Sequence, residues 1–187
     1  MERVLYWPVV SNRRAIDLIN ISVFTILTAV GAFIYIPLPF TPVPLTMQVF
    51  FVLLSGGIIG RKAAVSQILY LAIGTAGLPI FSGAAGGAVR LLGPTGGYLV
   101  GFIAAAYIIG WMVENKKDSF GMVLLAMLTG LAVIYLFGSI RLMACAGTDI
   151  MSTIKLGVFP FLLGDVIKIS IAAPLAWKLY NRFSYKK

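Results

Sequence analysis

Apolar residues run along this chain in long blocks, and the polar positions collect between the blocks. A stretch such as Val100-Gly101-Phe102-Ile103-Ala104-Ala105-Ala106 has neither the alternation of a half-buried strand nor the polar face of a surface helix. A helix crossing a bilayer needs about 20 such residues, within a range of roughly 17–25. The pattern predicts six spans, at 15–36, 46–60, 62–78, 93–113, 119–140 and 159–179, the second of them short. Helices are expected because backbone exposed to lipid must satisfy its own hydrogen bonds. Uninterrupted runs do not fit the lipid-out, lumen-in alternation of a barrel strand. The expected fold is an all-α integral membrane bundle of six transmembrane helices, one domain over residues 1–187, with no linker and no internal repeat.

Composition removes the soluble alternative. Hydrophobic residues make up 60% of the 187 and charged residues 11%, against roughly 45–50% and about 25% in soluble domains. A soluble domain of this size leaves about a third of its unfolded surface exposed, too much to hide so apolar a chain. The +9 charge, 15 Lys and Arg against 6 Asp and Glu, is scattered at segment ends, which excludes nucleic-acid binding as its meaning. One side of the spans collects Arg3, Arg13, Arg14, Arg61, Lys62, Lys116, Lys117, Lys178, Arg182, Lys186 and Lys187; the other has Arg90, Arg141 and Lys155. Basic loops stay inside, so both termini are expected in the cytoplasm and the number of spans is even. There is no His, which removes the commonest metal ligand and the usual proton shuttle at neutral pH. A lone cysteine, Cys145, allows no intrachain disulfide and reads as a packing residue. The charged stretch before the first apolar run is not the pattern of a cleaved signal peptide.

Few polar groups lie within the spans, so each carries weight. Asp165 and Lys168, three apart, share one helix face. Counted from Pro160 they lie about 8 and 12 Å down the sixth span. Ionisable groups at such depth face a bundle interior or a cavity; this pair either lines a polar ligand site or braces the helix as an ion pair. Arg90 precedes the fourth span and presents a fork matched to a carboxylate, or else reaches to lipid phosphates. Gly93-Pro94-Thr95-Gly96-Gly97-Tyr98 opens the fourth helix with Pro pre-set for its first turn. Gly97, Gly101 and Ala105 then form a small-residue packing stripe, and Tyr98 is core, membrane anchor or pocket wall. Ser22, Thr25, Ala29 and Ala32 form a small-residue face on the first span, suited to a neighbouring helix of the same chain or to a separate membrane subunit. Before the second span, Pro37, Pro39, Pro42 and Pro44 make a stiff lid. A second long connection, 79–92, carries Ser82-Gly83-Ala84-Ala85-Gly86-Gly87 and is either functional or a spacer. No P-loop and no nucleophile elbow is present, so concentrative transport by this chain needs ion coupling or an outside motor. Asp165 is the one clearly buried acid available for coupling, and Lys168 neutralises it.

Pro42-Val43-Pro44-Leu45-Thr46-Met47-Gln48, Gly77-Leu78-Pro79-Ile80-Phe81, Gly93-Pro94-Thr95-Gly96-Gly97-Tyr98 and Gly164-Asp165-Val166-Ile167-Lys168, in that order, resemble the BioY family. Its members are biotin-specific S components of energy-coupling factor (ECF) transporters in the prokaryotic plasma membrane. The resemblance implies six helices, a biotin pocket near the outer face, a lid from the first outer loop, and no catalytic activity or cofactor beyond biotin as transported ligand. It implies two kinds of partner besides membrane lipid: a transmembrane coupling protein and two cytoplasmic ATPases. The coupling protein would dock on the small face of the first helix, although Ser and Thr stand here where alanines are more usual. By position, Arg90 would hold the valerate carboxylate, Asp165 would accept ureido N–H groups, and Lys168 would support the ureido carbonyl or Asp165. Gln48 and Tyr98 are further substrate-binding candidates. Gly83 and Ala84 lie where a further ureido contact is expected. The other reading of the chain is a stand-alone ion-coupled carrier for biotin or another small anionic vitamin.

Overall fold

A computed structural model describes residues 12–115 and 119–184. Arg3, Lys116, Lys117, Lys186 and Lys187, which entered the charge count, lie outside the described residues. Helix α1 (Arg13–Phe33) starts where the Asn12 side chain accepts the Arg14 amide at 3.0 Å, satisfying one of the free donors of its first turn. The proline-rich segment that follows cannot continue the helix. It forms a two-stranded antiparallel ribbon instead, β1 (Tyr35–Ile36) on β2 (Leu45–Thr46), with Tyr35 opposite Thr46 and Ile36 opposite Leu45. The fold is otherwise mostly helical, and this ribbon is a small departure from the all-α expectation. The Met47 amide closes the segment back onto the carbonyls of Gly31 and Ile34 at 3.2 and 3.0 Å.

Helices α2 (Gln48–Ile59) and α3 (Ala63–Thr75) are joined by a single 3₁₀ turn at Gly60–Lys62. By length and composition Gln48–Thr75 counts as one of five runs, among the described residues, able to cross a membrane. That run is folded back on itself. Gln48 Nε2 donates to the Tyr70 hydroxyl at 2.6 Å across 22 positions, which along a straight helix would be about 33 Å apart. Gly60 makes the reversal at φ +66°, a left-handed conformation that glycine enters without strain. Gly110 lets the turn nest on the next long helix, because a Cβ there would overlap the backbone of Gly60 and Arg61.

The chain continues through α4 (Val89–Leu92), α5 (Gly96–Asn115), α6 (Phe120–Ala146), α7 (Ile150–Gly157) and α8 (Phe159–Ser184). Helix α5 packs most extensively on α6, and its small-residue stripe faces that contact. A Cβ on Gly97 would meet the Phe137 carbonyl, and one on Gly101 would lie 3.1 Å from Ile134 Cα. Helix α6 runs past the expected end at 140 and stops at Gly147, φ +63°. The short helix α7 was not expected from hydropathy; its N-cap is Asp149, whose Oδ2 accepts the amides of Met151 and Ser152 at 3.1 and 3.3 Å. At one end of the bundle, Asp17–Lys62 (2.5 Å) and Arg61–Glu114 (2.6 Å) tie the start of α1, the α2–α3 turn and the end of α5 together. The ribbon, the 76–95 segment and α7 gather at the other end, where α8 begins. Leu18 on α1 and Leu163 on α8 are 65% and 76% exposed, as side chains facing lipid are.

Candidate functional site

Among the described residues, a cavity of about 50 Å³ opens under the ribbon at that second end. The ribbon side supplies Val43, Pro44, Leu45 and Thr46; α2 supplies Gln48 and Val49; α5 supplies Tyr98 and Phe102. Ile134 and Tyr135 come from α6, Phe161, Asp165 and Lys168 from α8, and Ser82 and Thr95 from the connections. The walls are thus mainly apolar with a few placed polar groups, which is the usual make-up of a small-molecule site.

The charged pair forms the polar end of this cavity. Lys168 Nζ donates to Asp165 Oδ1 at 2.7 Å, with side chains only 8% and 2% exposed. The same ammonium donates to the Thr46 carbonyl at 2.6 Å, and the Tyr135 hydroxyl donates to Asp165 Oδ2 at 2.7 Å. An ammonium has three donors, and an ionised carboxylate has about four lone-pair positions. Two donors of Lys168 and one lone pair on each Asp165 oxygen are therefore committed within the protein. One donor and two acceptor positions remain, side by side, with the pair electrically neutral overall. Such a set suits an uncharged polar group that presents an N–H next to a C=O.

The remaining candidates divide. Gln48, 3% exposed, lines the cavity and donates through Nε2 to Tyr70. Tyr98 is a cavity wall, edge-on to Phe161 at 6.5 Å, but its hydroxyl is committed to the Gly157 carbonyl at 2.8 Å. Arg90 does not line the cavity. It sits half-buried on α4 at the rim, with Nη2 3.5 Å from the carbonyl of Ser82, a lining residue. Gly83 and Ala84 form a left-handed turn beside it, at φ +74° and +53°, and neither lines the cavity. The face Ser22, Thr25, Ala29, Ala32 divides: Thr25 Oγ1 donates to the carbonyls of Ile21 and Ser66 at 2.9 and 3.1 Å, and Ala32 is fully buried, so these two residues pack within the chain. Ser22 is exposed and Ala29 half-buried.

Tyr135, Tyr70 and the Thr46 carbonyl escaped the sequence reading. Tyr135 sits beside the buried α6 stripe of Leu131, Ile134 and Gly138. A tyrosine hydroxyl within an apolar span needs a partner, and that need was the available signal. Tyr70 lies inside the run read as the third span, and a carbonyl leaves no trace in side-chain chemistry.

These features define a multi-pass helical membrane protein with a lidded, mostly apolar cavity and a neutralised charged pair at its polar end. The BioY family profile matches residues 7–185, and the chain belongs to that family. The biotin transporter BioY of Thermotoga maritima is 44% identical, over 87% of this chain and 95% of its own length. The probable biotin transporter BioY of Pyrococcus horikoshii is 39% identical, over 85% and 93%. In fold, the chain is similar to the crystal structure of the S-component for biotin from an ECF-type ABC transporter, with a TM-score of 0.85 and 25% identity, covering 91% of this chain and 94% of that one. These relatives are transport proteins and not enzymes.

Proposed function

We propose that the chain is the biotin-binding S component of an ECF-type importer in a prokaryotic plasma membrane. The observation that carries this reading is the hydrogen-bond capacity left over at Asp165 and Lys168. One donor beside two acceptor positions, in an otherwise apolar cavity, complements the N–H and C=O edge of a ureido ring, and the apolar walls suit the rest of biotin. Arg90, at the rim, captures the valerate carboxylate after a short swing from Ser82. The cavity of about 50 Å³ is far below the roughly 300–1,000 Å³ of ligand pockets, so biotin enters by displacing the ribbon. The reversal at Gly60 supports six membrane crossings, and the basic residues at the Arg61–Glu114 end support cytoplasmic termini. Transport then proceeds with a transmembrane coupling protein and two cytoplasmic ATPases. Family membership supports this reading over a stand-alone ion-coupled carrier. Calorimetric titration of the purified protein with biotin, with thiamine and riboflavin as controls, tests it: biotin binds and the controls do not. Uptake by the chain alone in cells lacking the ATPases, abolished by an uncoupler, would overturn the ATPase-driven mechanism.

A further inference from the structure

Tyr70 lies outside the cavity lining, fully buried and edge-on to Phe81 at 5.4 Å. Its hydroxyl carries a single hydrogen, and that hydrogen points at the Ile80 carbonyl, 3.0 Å away. A carbonyl only accepts. The Tyr70 oxygen is therefore the acceptor in its 2.6 Å contact with Gln48, and Gln48 must present its NH₂ group there. An amide held by its nitrogen turns its oxygen the other way. Among the described residues no protein group donates to Gln48 Oε1, and Gln48 lines the cavity.

We infer that Tyr70 is a positioning residue that locks the Gln48 amide with Oε1 as an acceptor toward the cavity, and that this oxygen takes the second ureido N–H of the ligand. The inference rests on the biotin reading and deepens it. A cyclic urea carries its two N–H groups on opposite flanks of the carbonyl. Asp165 beside Lys168 meets one N–H and the carbonyl, so the other N–H needs its own acceptor on a different element. Helix α2, which packs on α8, supplies it. Were the amide free to rotate, its NH₂ would face the N–H donor to donor, and the hydrogen bond would become a repulsion. The relay Ile80–Tyr70–Gln48 removes that freedom, and it links the site to the segment following α3.

The test uses biotin and its two cyclic carbamate analogues, in which oxygen replaces one ureido N–H or the other with little change in size. A site built around an N–H rejects the analogue that lacks it. The wild-type protein should bind biotin at least about tenfold more tightly than either analogue. Gln48→Ala and Tyr70→Phe should each weaken biotin about tenfold, and both should lose discrimination against the same single isomer while keeping it against the other. The double variant should be no weaker than Gln48→Ala, because Tyr70 acts through Gln48. A packing role for Tyr70 would lower affinity for all three ligands alike; that outcome, additive losses, or unchanged biotin affinity overturns the inference. If Tyr70→Phe does not fold, Gln48→Ala carries the isomer test alone. A wild-type protein that does not bind biotin refutes the biotin reading itself, whereas biotin binding with no isomer-specific loss refutes only this assignment.

Discussion

Lys168 Nζ lies 2.6 Å from the backbone carbonyl of Thr46 and 2.7 Å from Asp165 Oδ1, so one ammonium holds both a cavity-lining carboxylate and the strand beside it. Lys168→Met removes both contacts and leaves Asp165 buried without its counter-charge. Breaking one partner of a buried pair costs about 3–5 kcal/mol. The thermal midpoint should fall, biotin affinity should drop more than tenfold, and amide exchange at Leu45 to Met47 should quicken. Adding Asp165→Asn should restore much of the midpoint without restoring biotin binding. Unchanged exchange in the ribbon would refute the latch.

Tyr135 and Tyr98 both line the cavity, yet their hydroxyls serve different ends. Tyr135 donates to Asp165 Oδ2 at 2.7 Å, while Tyr98 donates to the Gly157 carbonyl at 2.8 Å. Removing a hydrogen bond from a buried acceptor costs about 1–3 kcal/mol. Tyr135→Phe should therefore weaken biotin about tenfold or more, because it loosens Asp165, the carboxylate proposed to accept the ureido ring. Tyr98→Phe should lower the thermal midpoint through the α5–α7 contact with a smaller change in affinity. Calorimetry and thermal denaturation in the same detergent separate the two.

Arg90 stands at the rim, and its assignment as carboxylate anchor makes a charge-specific prediction. Arg90→Ala should weaken biotin by a few kcal/mol, the scale of a charge-assisted pair. Biotin methyl ester should bind wild type and variant equally. An equal loss for acid and ester would show that Arg90 only supports the Ser82 turn, which its 3.5 Å contact with that carbonyl would also do.

The positions of the long helices were legible because hydropathy is a property of runs, and a run of apolar residues has few alternatives in a bilayer. The pair at Asp165 and Lys168 was legible for the complementary reason: charge at depth is costly, so it marks a cavity. What the sequence concealed depends on direction more than on composition. The face of Thr25 and Ala32 has the spacing of a docking surface, but whether it meets a partner or α3 is set by the rotation of α1 about its axis. The Tyr135 and Tyr70 hydroxyls acquire their roles from partners 30 and 10 positions away. Helix α7 is eight residues long, too short to register against a span-length window.

Gly110 offers a test of the fold that does not involve the ligand. A methyl group there would overlap the Gly60 carbonyl and the Arg61 amide, and neither can move without opening the α2–α3 turn. Backbone cannot yield as a flexible side chain can, so Gly110→Ala should cost at least the roughly 1–3 kcal/mol typical of overpacking. Gly121→Ala, where a Cβ would come no nearer than 3.6 Å to Ser119 Oγ, is the matched control and should leave the thermal midpoint nearly unchanged. If both variants melt together with wild type, the hairpin does not nest on α5 as described.

Asp149 gives the fold a pH-dependent element. Hydrogen bonds from the Ser152 side chain and amide, and from the Met151 amide, hold its carboxyl below the usual carboxylate range. A depressed folded pKa means that the cap is fully in place above the unfolded value of about 3.9 and is lost as pH falls through the folded value. At neutral pH, Asp149→Ala should speed amide exchange at Met151 and Ser152, and Asp149→Asn, which keeps an acceptor oxygen but loses the charge, should speed it less. Acidification should raise wild-type exchange at these two amides, relative to the intrinsic rate, until wild type and Asp149→Asn coincide. The two proteins differing by the same factor at every pH would show that the ionised carboxylate is not what holds the first turn of α7.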